Sequence, residues 1–283
     1  MLLQQICNGL INGSFYALMA IGLTIIFGLM EIINFAHGEF YMLGAFASLF
    51  FVASLELHWL WAVVLSCIFT FIFGYACEKM IIRPLREASL LNKALAMIGL
   101  SFFLKNLVIA VVGAKSRDIP FPLEGKTINI GSVSFTLEQL CFVLITFFMF
   151  LMLYLLLYKF KIGKSMRATF QNKESSALMG VNINGVYSLT FGLGCMFVGV
   201  AGSLLGTLYL VYPAMGGLAI VKSFIVAILG GLGSIPGAIC GGFILGVTES
   251  LGAGYISSEY KDVFGFIIVI ILLLVRPKGM FGK

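Results

Sequence analysis

Polar positions in this chain are sparse and bunched, and the apolar runs between them are close to the length that a bilayer asks for. The first run extends from about Ile6 to Met30 and the second from about Phe40 to Leu55, with the polar stretch Glu31 to Glu39 between them. Further runs cover Leu60 to Cys77, Ala94 to Gly113, Leu137 to Tyr158, about Val186 to Val211, Leu218 to Leu232, Ala238 to Leu251 and Val263 to Val275. A spanning helix needs about 20 mostly apolar residues. The pattern therefore predicts an all-α integral membrane protein, a polytopic helical bundle of about eight or nine transmembrane segments with a broken helix near the N-terminus. The 40–55 run decides between the two counts, because about 16 helical residues cover only about 24 Å of a hydrocarbon core about 30 Å thick.

Composition supports this picture. The chain is 283 residues long, 60% hydrophobic and 11% charged, against about 25% charged in an ordinary soluble domain. A single transmembrane domain over 1–283 is expected, with no room for a sizeable soluble one. The 33 glycines suit bilayer helices that approach through small residues. Met1 to Gln5 lacks a basic segment, so the first run is read as a span and not as a removable signal. The six cysteines stand singly without a C-x-x-C, which supports neither a disulfide framework nor a zinc site; no metal or other cofactor is expected.

The formal net charge of +6 does not point to nucleic acid, because Lys and Arg sit in short segments between apolar runs. Residues 79–93, 159–173 and the tail after Val275 hold twelve of the eighteen. By the positive-inside rule that side faces the cytoplasm, which makes 159–184 a cytoplasmic loop, 114–136 an external one, and the C-terminus cytoplasmic. Asp118-Ile119-Pro120-Phe121-Pro122 and the alternation from Thr127 to Phe135 suggest short strands or a hairpin in the external loop.

Candidate chemistry is concentrated in three places. Asn34, His37 and Glu39 lie between apolar runs, where ionisable groups usually face a cavity or a partner; they line a solute path if the helix breaks in the membrane, or meet headgroups if the stretch is an interfacial loop. Gly230, Gly231 and Gly233 form a tight-packing or helix-breaking segment. In the cytoplasmic loop, Asn172 can cap a short helix with Glu174 in its first turn, and Gly180 can stop it. Lys105 reads as a snorkelling residue, whereas Glu249 is open between path and interface. Ile162-Gly163-Lys164-Ser165 lacks the first glycine of a P-loop, Tyr158 standing in its place, so this chain has no phosphate cradle of its own.

Glu174-Ser175-Ser176 followed by Gly180 is similar to a degenerate importer coupling motif, in which both alanines are serine here. Asn8-Gly9-Leu10, Gly13-Ser14, Tyr16-Ala17-Leu18, Ile33 to Glu39, Met42 to Ala45, Arg167-Ala168, Gln171-Asn172, Gly230 to Ala238 and Arg276-Pro277-x-Gly279-x-Phe281-Gly282 extend the likeness in order along nearly the whole chain. On these motifs the sequence resembles the branched-chain amino acid permease family of ABC importers, its LivH-like members. The resemblance implies a permease subunit, not an enzyme, of a bacterial or archaeal cytoplasmic membrane. It also implies partners: separate ABC ATPase subunits, a paralogous or identical permease, and an extracytoplasmic solute-binding protein, all set in membrane lipid. Arg167, Glu174, Ser175, Ser176 and Gly180 would form the ATPase-coupling loop, and Asn34, His37 and Glu39 with the glycine segment would flank the path. A urea or short-amide importer resembles the chain nearly as well. An ion-coupled secondary transporter is the rival from another class, and an intramembrane enzyme lacks a catalytic arrangement of residues.

Overall fold

A computed structural model of the chain describes residues 1–122, 124–130 and 133–282. Residues 123, 131 and 132 of the expected 114–136 loop, and residue 283 of the tail, lie outside the described residues. In chain order the helices are α1 (Leu2–Met30), α2 (His37–Ala53), α3 (Trp59–Cys77), α4 (Leu90–Val112), α5 (Leu137–Lys159), α6 (Lys161–Gln171), α7 (Lys173–Leu178), α8 (Ile183–Leu208), α9 (Gly216–Gly230), α10 (Ile235–Tyr255) and α11 (Lys261–Val275). The strands β1 (Thr127–Ile130) and β2 (Val133–Thr136) pair antiparallel, as the alternation predicted. Short polar side chains cap five of the helices: Ser89, Thr136, Asn172, Asn182 and Ser234 each accept from a backbone N–H three residues on, which satisfies donors that the helix itself cannot.

Among the described residues, six helices are long and apolar enough to cross a membrane, while α2 and α9 are apolar but shorter. Burial among the six runs against hydropathy. The most apolar, α5, is only 28% buried over its apolar window, whereas the less apolar α8 is 94% buried. Phe102 and Phe103 of α4 and Phe147 and Phe148 of α5 point outward, as lipid-facing side chains would. The centre is held by small residues, because lipid tails give helices no hydrophobic drive to associate and close packing must supply the attraction.

That packing is most evident along α1. Gly9, Gly13 and Ala17, spaced four apart and so on one face, lie against Val247, Phe243 and Gly242 of an antiparallel α10; a Cβ at Gly9 would stand 2.5 Å from Val247 Cα, and one at Gly13 2.7 Å from Phe243 Cα. On its other side α1 meets α8 at Gly22 and Gly194. Hydroxyls add to the join between α2, α3 and α8: Ser66 Oγ donates to the Gly44 carbonyl at 2.7 Å and lies 2.7 Å from the Ser203 hydroxyl.

The two ends of the bundle differ. At one, the Gln4 side chain exchanges two hydrogen bonds with the Ser134 backbone, at 2.9 and 2.8 Å, tying the hairpin to the start of α1. At the other, the basic end, the end of α1 meets the α9–α10 turn at Gly233 and α6 at Phe170, and α6 and α7 lie across it.

If small residues along α1 set the interhelical distance, Gly13→Leu forces two backbones apart. Overpacking of this kind costs about 1–3 kcal/mol, or about 5 °C at about 2–4 °C per kcal/mol. Gly99 has nothing within 4 Å of its Cβ position, so Gly99→Leu leaves the melting temperature in detergent unchanged. Thermal unfolding of the two variants side by side checks the contrast.

Candidate functional site

The polar stretch after α1 separates it from α2. Glu31 takes φ +52 in the left-handed region and closes α1 through its N–H to the Phe27 carbonyl at 2.8 Å. Residues 31–36 are not helical. Asn34, fully buried, turns its Oδ1 back to accept the Ala36 N–H at 3.0 Å, and its backbone carbonyl takes the His37 N–H at 3.2 Å. This local Asx turn is the reason asparagine suits the site. The chain then climbs back along α1, because His37 Nε2 lies 3.0 Å from the Met19 carbonyl and the ring sits at Gly22. From Met30 to that level is eight to eleven residues, about 12–17 Å at 1.5 Å per residue. α2 therefore starts well inside the bundle, roughly half-way along α1.

Its first turn faces three ways. A carbonyl can only accept, so His37 Nε2 carries the proton and Nδ1 presents a lone pair. Glu39, two residues on and hence on another face, accepts from the Ser101 hydroxyl of α4 at 3.0 Å. Between them Gly38 presses on Gly216 at the start of α9. Asn34 Nδ2, His37 Nδ1 and Glu39 Oε2 are buried and have no partner among the described residues. Buried polar atoms of this kind are rarely left unpaired without a role. Lys105, one turn beyond Ser101, is partly exposed and makes no ion pair among the described residues.

Gly230, Gly231 and Gly233 lie elsewhere, in the α9–α10 turn at the basic end. Gly231 (φ +96) and Gly233 (φ +87) need the left-handed backbone that glycine adopts freely. The C-terminal tail is strapped over this turn by Met280 N–H to Leu229 O at 2.9 Å and Phe281 N–H to Gly230 O at 3.0 Å. A Cβ on Gly231 would stand 2.5 Å from Gly282 N.

The third group of residues forms a compact surface element. Asn172 caps α7 by accepting the Ser175 N–H at 2.8 Å, Glu174 stands exposed in the first turn, and Gly180 leaves it at φ +83. Ser176 is buried against the bundle, whereas Ser175 is exposed. Leu178 and Met179 are 88% and 85% exposed. Arg167 of α6 lies over the Tyr158 ring at 4.8 Å, so it braces the α5–α6 corner and does not join Glu174.

Sequence reading missed an ionic knot near the hairpin end. Lys222 of α9 pairs with Glu249 of α10 and, at 2.7 Å, with Asp262 of α11, while the Tyr16 hydroxyl of α1 donates to Glu249 at 2.7 Å. Four helices meet on one buried cation. The signal was available: Lys222 and Glu249 are single charges of opposite sign in neighbouring apolar runs, and charges at such depth pair. A cavity of about 470 Å³ opens elsewhere, between α1, α5 and α10, lined by apolar side chains such as Leu10, Leu140 and Phe147. Among the described residues no group of three His, Cys, Asp or Glu side chains is arranged as a metal site.

The chain is similar to known proteins along nearly its whole length. A family model described as branched-chain amino acid transport system / permease component matches residues 5–273. The high-affinity branched-chain amino acid transport system permease protein BraD of Pseudomonas aeruginosa is 38% identical, over 99% of this chain and 96% of that protein. The corresponding protein LivH of Escherichia coli K12 is 37% identical over the same shares, and a probable LivH of Methanocaldococcus jannaschii is 30% identical over 97% and 91%. Among solved structures, PsaBC from Streptococcus pneumoniae in complex with Fab aligns at a TM-score of 0.55 with 14% identity, covering 97% of this chain and 92% of that one. That likeness concerns the fold alone.

The ionic knot has a measurable consequence. Lys222→Met leaves the buried Glu249 with the Tyr16 hydroxyl but without a counter-charge, which costs about 3–5 kcal/mol. Replacing Glu249 by Met as well removes the orphaned charge, so the double variant recovers most of the loss in a detergent melt.

Proposed function

The chain belongs to the branched-chain amino acid transport system permease family, and on that premise we propose that it is the membrane-spanning subunit of an ATP-driven importer of branched-chain amino acids. It is a transport subunit and not an enzyme. The observation that carries the reading is the match along almost the whole length of the chain to permeases of such systems. Tyr158 stands where a P-loop would carry its first glycine, which supports a reading in which ATP is hydrolysed on separate ATPase subunits. The importer also needs a second permease, identical or paralogous, and an extracytoplasmic solute-binding protein.

The whole of 1–283 is one permease domain in the cytoplasmic membrane of a bacterium or archaeon. Its basic end faces the cytoplasm, following the charge distribution, and so the C-terminus is cytoplasmic and the hairpin end external. Nine segments then lie in the membrane: α1 to α5 and α8 to α11, of which α2, α9 and α11 are shorter than a full crossing. α7 docks on the ATPase through Glu174, Ser175 and the exposed Leu178 and Met179, with Gly180 allowing the chain to turn away and Ser176 seating the helix on the bundle. Arg167 holds the preceding corner. The solute path runs beside the start of α2, where Asn34, His37 and Glu39 keep unsatisfied polar atoms at membrane depth. Non-helical backbone there is tolerated only against protein or a water-filled cavity. Gly230, Gly231 and Gly233 flank the cytoplasmic mouth.

Two measurements test this. In proteoliposomes holding the full complex, ATP drives uptake of radiolabelled leucine, isoleucine or valine; uptake of urea instead, or leucine uptake that follows an ion gradient without ATPase subunits, overturns the reading. Glu174→Arg together with Gly180→Trp lowers ATPase co-purification and leucine uptake by about tenfold or more, as the loss of an interface anchor worth about 2 kcal/mol would. Unchanged co-purification assigns the docking surface elsewhere.

A further inference from the structure

A second buried charge cluster, distinct from the path and from the exposed docking surface, lies between them. After α3 the chain does not end in a plain α-turn but passes through a π-helical turn, Glu78–Ile82, and a 3₁₀ turn, Arg83–Leu85, with Pro84 in it. Glu78, the first residue of the π turn, is fully buried. Its two oxygens accept from Arg86 and from the Ser188 hydroxyl of α8. Arg86 also donates to the Asn184 side chain and lies over the ring of Tyr187, 4.7 Å from its centroid. The same ring takes a second cation, Lys173 Nζ, at 5.8 Å. Lys173 is the first residue of α7 and is otherwise exposed.

One aromatic ring thus holds two cations from two different elements. Arg86 is neutralised by Glu78, which limits its repulsion of Lys173, and the negative face of the ring adds an attraction to each cation, stronger for the part-buried Arg86 than for the exposed Lys173. Through Tyr187 a displacement of α7 reaches Arg86, and through Arg86 it reaches Glu78 at the head of the π turn. A π turn is a register defect that one residue's shift can convert to α, and such turns mark functional joints more often than plain helix. α3 lies on one side of this joint and α4 on the other. α4 carries Ser101, the partner of Glu39. From α7 to Glu78 the link is made by side-chain contacts, and from the joint to the start of α2 it is made by the α4 helix itself, which ends this path at the Ser101–Glu39 hydrogen bond.

We propose that Tyr187 is a positioning residue that couples α7 to the π turn at Glu78, so that ATPase closure on α7 re-registers the α3–α4 joint and moves Ser101 relative to Glu39. The proposal rests on the reading of α7 as the docking element. It assigns Arg86 and Glu78 a transmitting role, and it requires the ring of Tyr187 and not its hydroxyl.

The test uses the assembled importer in proteoliposomes and reads the ratio of leucine taken up to ATP hydrolysed. Tyr187→Leu removes the ring while ATPase subunits still co-purify, and the ratio falls about fivefold or more, the size of effect expected from loss of a coupling link. Tyr187→Phe keeps the ring and restores the wild-type ratio. Lys173→Gln, at an exposed position where folding is not at stake, lowers the ratio in the same direction. A Tyr187→Leu ratio equal to wild type, or a Phe variant as impaired as the Leu variant, overturns the proposal. Should Tyr187→Leu fail to assemble, the Phe and Gln variants decide: a wild-type ratio for Lys173→Gln, or an impaired one for Tyr187→Phe, overturns it equally. Failure of the docking reading looks different, because it appears as ATPase co-purification that ignores Glu174→Arg with Gly180→Trp while Tyr187 goes untouched.

Discussion

Close approach of bare backbone along α1 is the constraint on which the rest of this structure depends. A helix in lipid gains nothing by hiding leucine, so the centre of the bundle is built where glycine and alanine let main chains touch. α10 lies along one side of α1 and α8 meets the other at Gly22 and Gly194. Because those contacts are tight, α1 has little freedom to move as a unit, and the non-helical residues 31–36 fold back against it with Ile32, Asn34 and Ala36 buried. The deep start of α2 follows from that shelter, since unpaired backbone at such depth needs protein on its flanks.

Charge is used sparingly, and each use has a geometric purpose. Lys222 draws α1, α9, α10 and α11 together near the hairpin end, while Arg86 and Glu78 join the α3–α4 connection to α8 near the basic end. Buried ion pairs of this sort add little net stability relative to apolar packing; what they add is a fixed register between helices that small residues alone would allow to slide. Glu39 is different, because one of its oxygens has no partner among the described residues.

Features governed by local rules were legible in the sequence. The Asn172 cap, the stop at Gly180, the pairing of 127–130 with 133–136 and the helix break near 231–233 each follow from a few residues acting on their own backbone. The runs themselves gave helix positions to within a few residues. The level at which α2 begins was not legible, since an interfacial loop and a helix break use the same polar residues, and the contact of His37 with Met19 joins residues eighteen apart in the chain. The cation shared by Glu249 and Asp262, and the ring of Tyr187 beneath two cations, depend on side chains far apart in the chain. Periodicity does not reach that distance, although single opposite charges in adjacent apolar runs could have suggested the first.

The inverse relation between hydropathy and burial means that a hydropathy plot reads this protein inside out. Its tallest peaks are the insulating rim, where any greasy side chain of suitable length serves as well as another. The shallower peaks, diluted by glycine and serine, are the frame. An effort to make the protein tractable in water could therefore recolour α4, α5 and α11 extensively while leaving α1, α8 and α10 as they stand, and the least hydrophobic spans would be the last places to edit.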